Sequence, residues 1–360
     1  MSIIYKPDWE ETKHRFEAWW AGEALDRCAI AVTAPRDDAR GLEPPEFPDN
    51  PVLRWTDLEF IAALNDYRFQ TTFYGGEAFP HWNGGFPGHT SIPAFLGCPL
   101  ELDMVTGWWD PIFDEDDDDW DVSSLRIDPD NRWWKFTREQ ARRGVKEAAG
   151  RAIPDIGGAL GGCGDTLAAL RGSMPLLYDV TLRPDRVRDA ELHLMQMWIE
   201  VYDTLYDEVH EVAEGSTCWF TLWSPGRFYS SHCDFSYMIS TDMFVDLFFP
   251  ALEMQVAYLD HVVHHVDGIE AFRHVPALLD LPIQAYQILP GAGKPSPLHY
   301  LDTLRLVQDR GKNLHITIPP EEVETALDLL SARGLFISTT CEAEEQARDL
   351  LKKTAKWSHN

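Results

Sequence analysis

PIQAYQILPGAGKPSPLHYLDTLRLVQDRGKNLHITIPPEE, residues 282–322, sets two apolar, β-rich runs on either side of a helical pattern. The runs at 282–289 and 312–318 are short, as buried strands are, and the apolar residues of 298–309 recur at helical spacing. Pro319, Glu321 and Glu322 then open another helix with the residues that orphan amides and the helix dipole favour. A strand, helix, strand succession this compact implies parallel strands.

The same alternation extends in both directions. STCWFTLW (216–223) is followed by a helical pattern over 240–260, and HVVHHV (261–266) by one over 270–279. GLFIST (334–339) precedes a helix over 342–356 that begins with Glu342 and Glu344. Five consecutive strand–helix units, with a further strand at 152–156, predict an α/β fold of the (β/α)8 TIM barrel type in one domain over 1–360. The N-terminal third is less regular. Helices are expected over 9–21 and 57–73 as an N-terminal helical extension, and 74–132, rich in Gly, Pro, Trp and Asp, reads as a long insertion. Its run DEDDDDWD (114–121) lacks the ligand spacing of an EF-hand and reads as a solvated acidic loop.

Composition limits the partners. The 360 residues are 44% hydrophobic, enough for a full core, and 59 acidic residues against 31 basic ones give a formal charge of −28. Such a charge repels nucleic acid and anionic lipid, so neither is an expected partner. No stretch approaches the roughly 20 apolar residues that span a bilayer, and no signal-like segment opens the chain, so a cytoplasmic protein acting on a small-molecule substrate is expected, with a homodimer left open. Six scattered cysteines without a CxxC pair suit a reducing compartment. Fourteen tryptophans are many for this length; most are expected in the core, and an exposed subset could stack on a flat ligand or a sugar ring.

In a barrel, chemistry sits at the C-terminal ends of the strands. Arg227, Tyr229, His232, Cys233 and Asp234 follow the 216–223 run, His265 and Asp267 end the next, Gln287 ends another, His315 lies within KNLHITI, and Cys341 follows GLFISTT. His265 and Asp267, two apart on a strand, point the same way. With Cys341 they supply the nitrogen, carboxylate and thiolate donors that zinc accepts, and an ordinary capping role for Asp267 is the competing reading. His232 and Cys233 are adjacent and face opposite ways, which argues against both binding one metal. GAGKPSP (291–297) carries neither phosphate-binding glycine pattern.

The run CDFSYMISTDMFVDLFFPALEMQVAYLDHVVHHVDG, then LPIQAYQILPGAGKPSPLHYLD and GLFISTTCEAEEQARDLL, resembles the uroporphyrinogen decarboxylase-like superfamily, and DIGGALGGCGDTLAALRG adds to the likeness, which covers about 150–356. That superfamily includes a haem-pathway decarboxylase and zinc-dependent methyltransferases that work with corrinoid proteins. The resemblance implies a barrel with zinc held by His265, Asp267 and Cys341 and with Asp234 at the mouth against substrate; the residues themselves suggest Asp234 or His232 for a proton transfer, and Arg227, Tyr229 and Gln287 for holding substrate. It brings in a corrinoid, or a corrinoid protein, as a partner to test. Asp267 stands where the methyltransferases have Cys, which makes a bound metal harder and thiol activation weaker. The basic N-terminal segment of the decarboxylases has no counterpart in residues 1–60. The leading expectation is a zinc-dependent, methyltransferase-like enzyme. The alternatives are a metal-free decarboxylase, a lyase or hydrolase of glycosides or plant aromatics, and a corrinoid- or tetrapyrrole-binding protein without turnover.

Overall fold

The computed structural model describes residues 3–39, 41–85 and 91–358. Seven strands form one sheet: β1 (Ala29–Pro35), β2 (Thr72–Gly76), β3 (Phe228–His232), β4 (His261–Asp267), β5 (Ala285–Leu289), β6 (Asn313–Thr317) and β7 (Leu335–Thr340). Their spatial order is β2-β1-β7-β6-β5-β4-β3. Neighbours run parallel except β1 and β2, which are antiparallel. The middle strands are buried on both faces, which is why they read as nearly continuous apolar runs.

The continuous ladder therefore covers seven strands, and shorter strand pairs lie outside it. His81–Trp82 pairs in parallel with Ile153–Pro154, where the Ile153 N–H also donates to Pro80 O (2.9 Å). The Ile156 N–H reaches Thr217 O (3.3 Å), and Ser216–Thr217 pairs antiparallel with Trp223–Ser224. The expected strand over 216–223 is thus a tight hairpin, and the ladder strand of that unit is β3, further along the chain. Thr221 takes a positive φ of 55° at the turn, with its N–H on Cys218 O (2.9 Å). The helical pattern at 240–260 divides into Thr241–Leu247 and Phe249–Tyr258, because Pro250 can occupy only a first turn. The segment read as an insertion contributes β2 residues and the 81–82 strand to the core before it turns into loops and the hairpin Leu100–Leu102 with Gly107–Trp109.

One end of the sheet is sealed. Helix α1 (Trp9–Trp20) lies across the N-terminal ends of the strands. Trp19 Nε1 donates to Gly334 O and Trp20 Nε1 to Trp223 O, both at 2.9 Å, while Asn313 Nδ2 donates to Trp19 O at 2.6 Å. Phe16 stacks on Phe336 with centroids 5.6 Å apart. Any ligand must therefore enter at the C-terminal ends. Among the described residues, no helix is long and apolar enough to cross a membrane.

Candidate active site

Parallel register puts one residue of each strand at the same level. His232, His265, Gln287, His315 and Phe336 are successive partners from β3 to β7. Those on one face make a polar chain: His265 Nδ1 bonds Gln287 Oε1, Gln287 Nε2 meets His315 Nδ1 at 3.3 Å, and His315 Nε2 meets Ser338 Oγ at 2.9 Å. The tip of the 216–224 hairpin covers this row. Trp219 stands edge-on to His265 (5.5 Å) and Phe220 packs against His265 (5.7 Å) and His315 (5.6 Å). Those aromatic contacts explain why an apolar, β-rich run folds back as a hairpin here.

Burial inside this row holds the histidines neutral. Desolvation lowers His232, and desolvation with His232 nearby lowers His265. His315, desolvated and next to His265, is lowered to about 3. His264 faces the other side, with Nδ1 on Ser231 Oγ (2.8 Å), and is also lowered to about 3, first by burial. His261, at the start of β4, stacks on Trp20 (4.5 Å) at the sealed end.

His232 borders a cavity of about 610 Å³ with Asp165, Asp234, Trp108 and Trp109 in its wall. His232 Nε2 lies 3.6 Å from Asp165 Oδ2. Asp165 accepts the N–H groups of Asp234 (3.0 Å) and Phe235 (2.8 Å), yet desolvation and the Asp234 charge push it up to about 7. Beneath it, Glu191 takes the Gly164 N–H (2.9 Å) and is raised by burial to about 8. Asp165 is a residue that motif reading missed. Its only signal is the glycine-rich run before it, where Gly164 at φ 78° turns the chain toward the mouth. A second cavity, about 910 Å³, is lined by Trp219 and Phe220 and by residues of β1, β6 and β7.

His232 and Asp234 line the 610 Å³ cavity and Gln287 the 910 Å³ one; His265 lies under Trp219 and Phe220 with its Nε2 3.9 Å from Asp267 Oδ2, and all four sit toward the C-terminal ends of the strands. Arg227 does not. It precedes β3, at the sealed end, with its guanidinium over Tyr206 (5.0 Å) and Tyr258 (5.5 Å) and 3.6 Å from Asp203. Tyr229 alternates to the opposite face. Fully buried, its hydroxyl donates to Gly158 O and accepts from the Leu160 N–H, both at 2.7 Å, which anchors a loop instead of a substrate.

Among the described residues, no three His, Cys, Asp or Glu side chains come together as a ligand group. Cys341 is buried one residue past β7, its N–H on Thr33 O (2.8 Å), and burial alone raises its thiol. His265 and Asp267 make a pair where a catalytic zinc site needs three protein ligands, so the expected triad does not fit.

An α/β protein with a polar, histidine-lined mouth at the ends of parallel strands is the class that fold and site define. Among solved structures, a methyltransferase from Methanosarcina mazei superimposes with a TM-score of 0.61 at 11% identity, over 96% of this chain and 98% of that one. At that identity the likeness is one of fold, and it does not single out the uroporphyrinogen decarboxylase-like branch. No family model matches the chain, and no curated protein does.

Proposed function

We propose that the chain is an enzyme that transfers a methyl group to or from a small molecule, with His232 and Asp165 handling the proton. The observation that carries this reading is a lowered histidine 3.6 Å from a carboxyl group raised to about 7, both in the wall of one cavity at the C-terminal ends of the strands. The fold shared with a methyltransferase supports the reaction class. In the step, the acceptor heteroatom bonds the methyl carbon as the carbon–donor bond breaks. His232, neutral, takes the acceptor's proton. Asp165, protonated, gives its proton to the leaving donor, which keeps the bonding electron pair. A pKa near the working pH is what general acid catalysis requires. The barrel closed by the short strand pairs, with a corrinoid as one acceptor, belongs to the same proposal. No step passes through zinc.

The protonated Asp165 beside Asp234 also suits a second reading, metal-free decarboxylation, in which Asp165 protonates the carbanion left as CO2 departs. Mass spectrometry of S-, N- and O-methylated and of carboxylated small molecules, with and without a corrinoid acceptor, separates the two by methyl transfer against CO2 loss. Under either chemistry, Asp165→Asn and His232→Gln should lower kcat by about 10²–10⁴-fold, and the wild-type fall in rate above pH 7 should vanish in Asp165→Asn. Wild-type rates in both variants would remove the proposed pair from the mechanism.

A further inference from the structure

The 910 Å³ cavity has walls unlike the rest of the molecule. The chain carries 59 acidic residues, yet among the described residues no Asp or Glu lines this cavity. Among those residues its lining holds one permanently charged group, Arg68, from the last turn of the helix Leu58–Thr71. Arginines on neighbouring elements are paired, Arg143 with Glu59 and Arg151 with Asp66. Among the described residues the Arg68 guanidinium has no carboxylate partner, and the walls around it lower its pKa by desolvation. Arg54, stacked over Trp55 (4.6 Å) and Phe47 (4.7 Å), adds a second positive charge near it.

The remaining lining is apolar and hydroxylic. Phe79, Trp219 and Phe220 offer ring faces and edges, whereas Gln287 and His315 bring in the end of the polar chain. A guanidinium without a carboxylate partner meets a carboxylate through two parallel hydrogen bonds.

We propose that this cavity binds a small carboxylate with an apolar or aromatic body, the carboxylate on Arg68 and the body against Trp219, Phe220 and Phe79. This site lies apart from the His232–Asp165 pair of the 610 Å³ cavity, and the binding does not depend on turnover. In a protein of formal charge −28, an acid-free pocket is where such an anion escapes repulsion.

Isothermal titration of the full chain with benzoate, benzamide and inorganic phosphate tests it. Benzoate should bind, and benzamide, equal in shape and uncharged, about tenfold or more weakly. Arg68→Met should lose about the same factor for benzoate and nothing for benzamide, while Phe79→Ala should weaken both. Arg68 is exposed to the cavity, so its variant should unfold at the wild-type temperature. Equal affinities for benzoate and benzamide, benzoate binding indifferent to Arg68→Met, or no benzoate binding at millimolar concentration would each overturn the proposal. Phosphate binding more tightly than benzoate would overturn the carboxylate assignment. Because no methyl transfer is measured, a protein that binds benzoate through Arg68 and transfers no methyl group sinks the proposed reaction and leaves this site standing.

Discussion

Gly162 lies directly against His232. A Cβ at that position would stand 2.6 Å from the His232 carbonyl oxygen and 2.7 Å from its ring, so only a hydrogen fits there. Gly162→Ala must displace the ring, and misplacing a catalytic group by about 1 Å costs on the order of 10²-fold. The expected outcome is a kcat lowered by about that factor with the circular dichroism spectrum retained; unchanged kcat would show that the ring's position is not limiting. Cys341 makes the opposite case. With no ligand set around it, Cys341→Ala should remove only packing, about 1–2 kcal/mol in urea denaturation, and leave turnover and metal content as in the wild type. A loss of bound zinc with loss of activity in that variant would restore the triad. Strand alternation and strand ends alone place His265 and Gln287. A strand at 216–223 leaves Arg227, Tyr229 and His232 in a loop beyond it; with β3 starting at Phe228, His232 ends a strand, Arg227 falls at the sealed end and Tyr229 on the far face.

At the scale of elements, the strand–helix units after residue 260 could be read locally, since each strand and the helix after it are contiguous in sequence. β2 could not, because it joins the sheet antiparallel to β1 and is held by groups far from it in the chain. Glu77, immediately after β2 and fully buried, accepts both Arg27 Nη1 (2.7 Å) and Arg27 Nη2 (2.8 Å) as well as the Ile30 N–H. Lys6, also buried, donates to the Tyr74 and Gly76 carbonyls. Removing one partner of a buried pair strands the other charge, which costs about 3–5 kcal/mol. Glu77→Ala should therefore lower stability by roughly that amount. Replacing both Glu77 and Arg27 with apolar residues of similar volume should recover a large part of it, because no uncompensated charge then remains. A double variant as unstable as Glu77→Ala would mean that contacts other than the ion pair hold this edge. The hairpin over 216–224 was illegible for a different reason: its composition is that of a strand, and the histidine row its rings cover is assembled from three other strands.

The whole molecule buries titratable groups of both kinds, and their linkage to folding opposes one another across pH. His232, His261, His264, His265, His274 and His315 are all lowered, first by desolvation. The unfolded chain binds protons at these sites below about pH 6.5 and the native state resists them, so stability rises with pH up to that point. Asp155, Asp165 and Glu191 are raised by burial, Asp165 to about 7 and Glu191 to about 8. There the native state holds protons that the unfolded chain has released, so these groups remove stability as pH rises from about 4 to 8. Below 6.5 the six histidines outnumber the three carboxyls; above it the histidines have finished titrating and only the carboxyls still change. Stability measured by urea denaturation should climb from pH 4.5, peak near 6.5 and decline toward 8. The declining limb is assigned to named groups, with each proton difference contributing a slope of about 1.4 kcal/mol per pH unit at most. Glu191→Gln, which keeps the bond from the Gly164 N–H and cannot ionise, should flatten that limb between 7 and 8 while leaving the acid limb as it is. A decline of undiminished slope in that variant would move its origin from the buried carboxyl beneath the site to self-repulsion among the 59 acidic residues, which added salt would then screen.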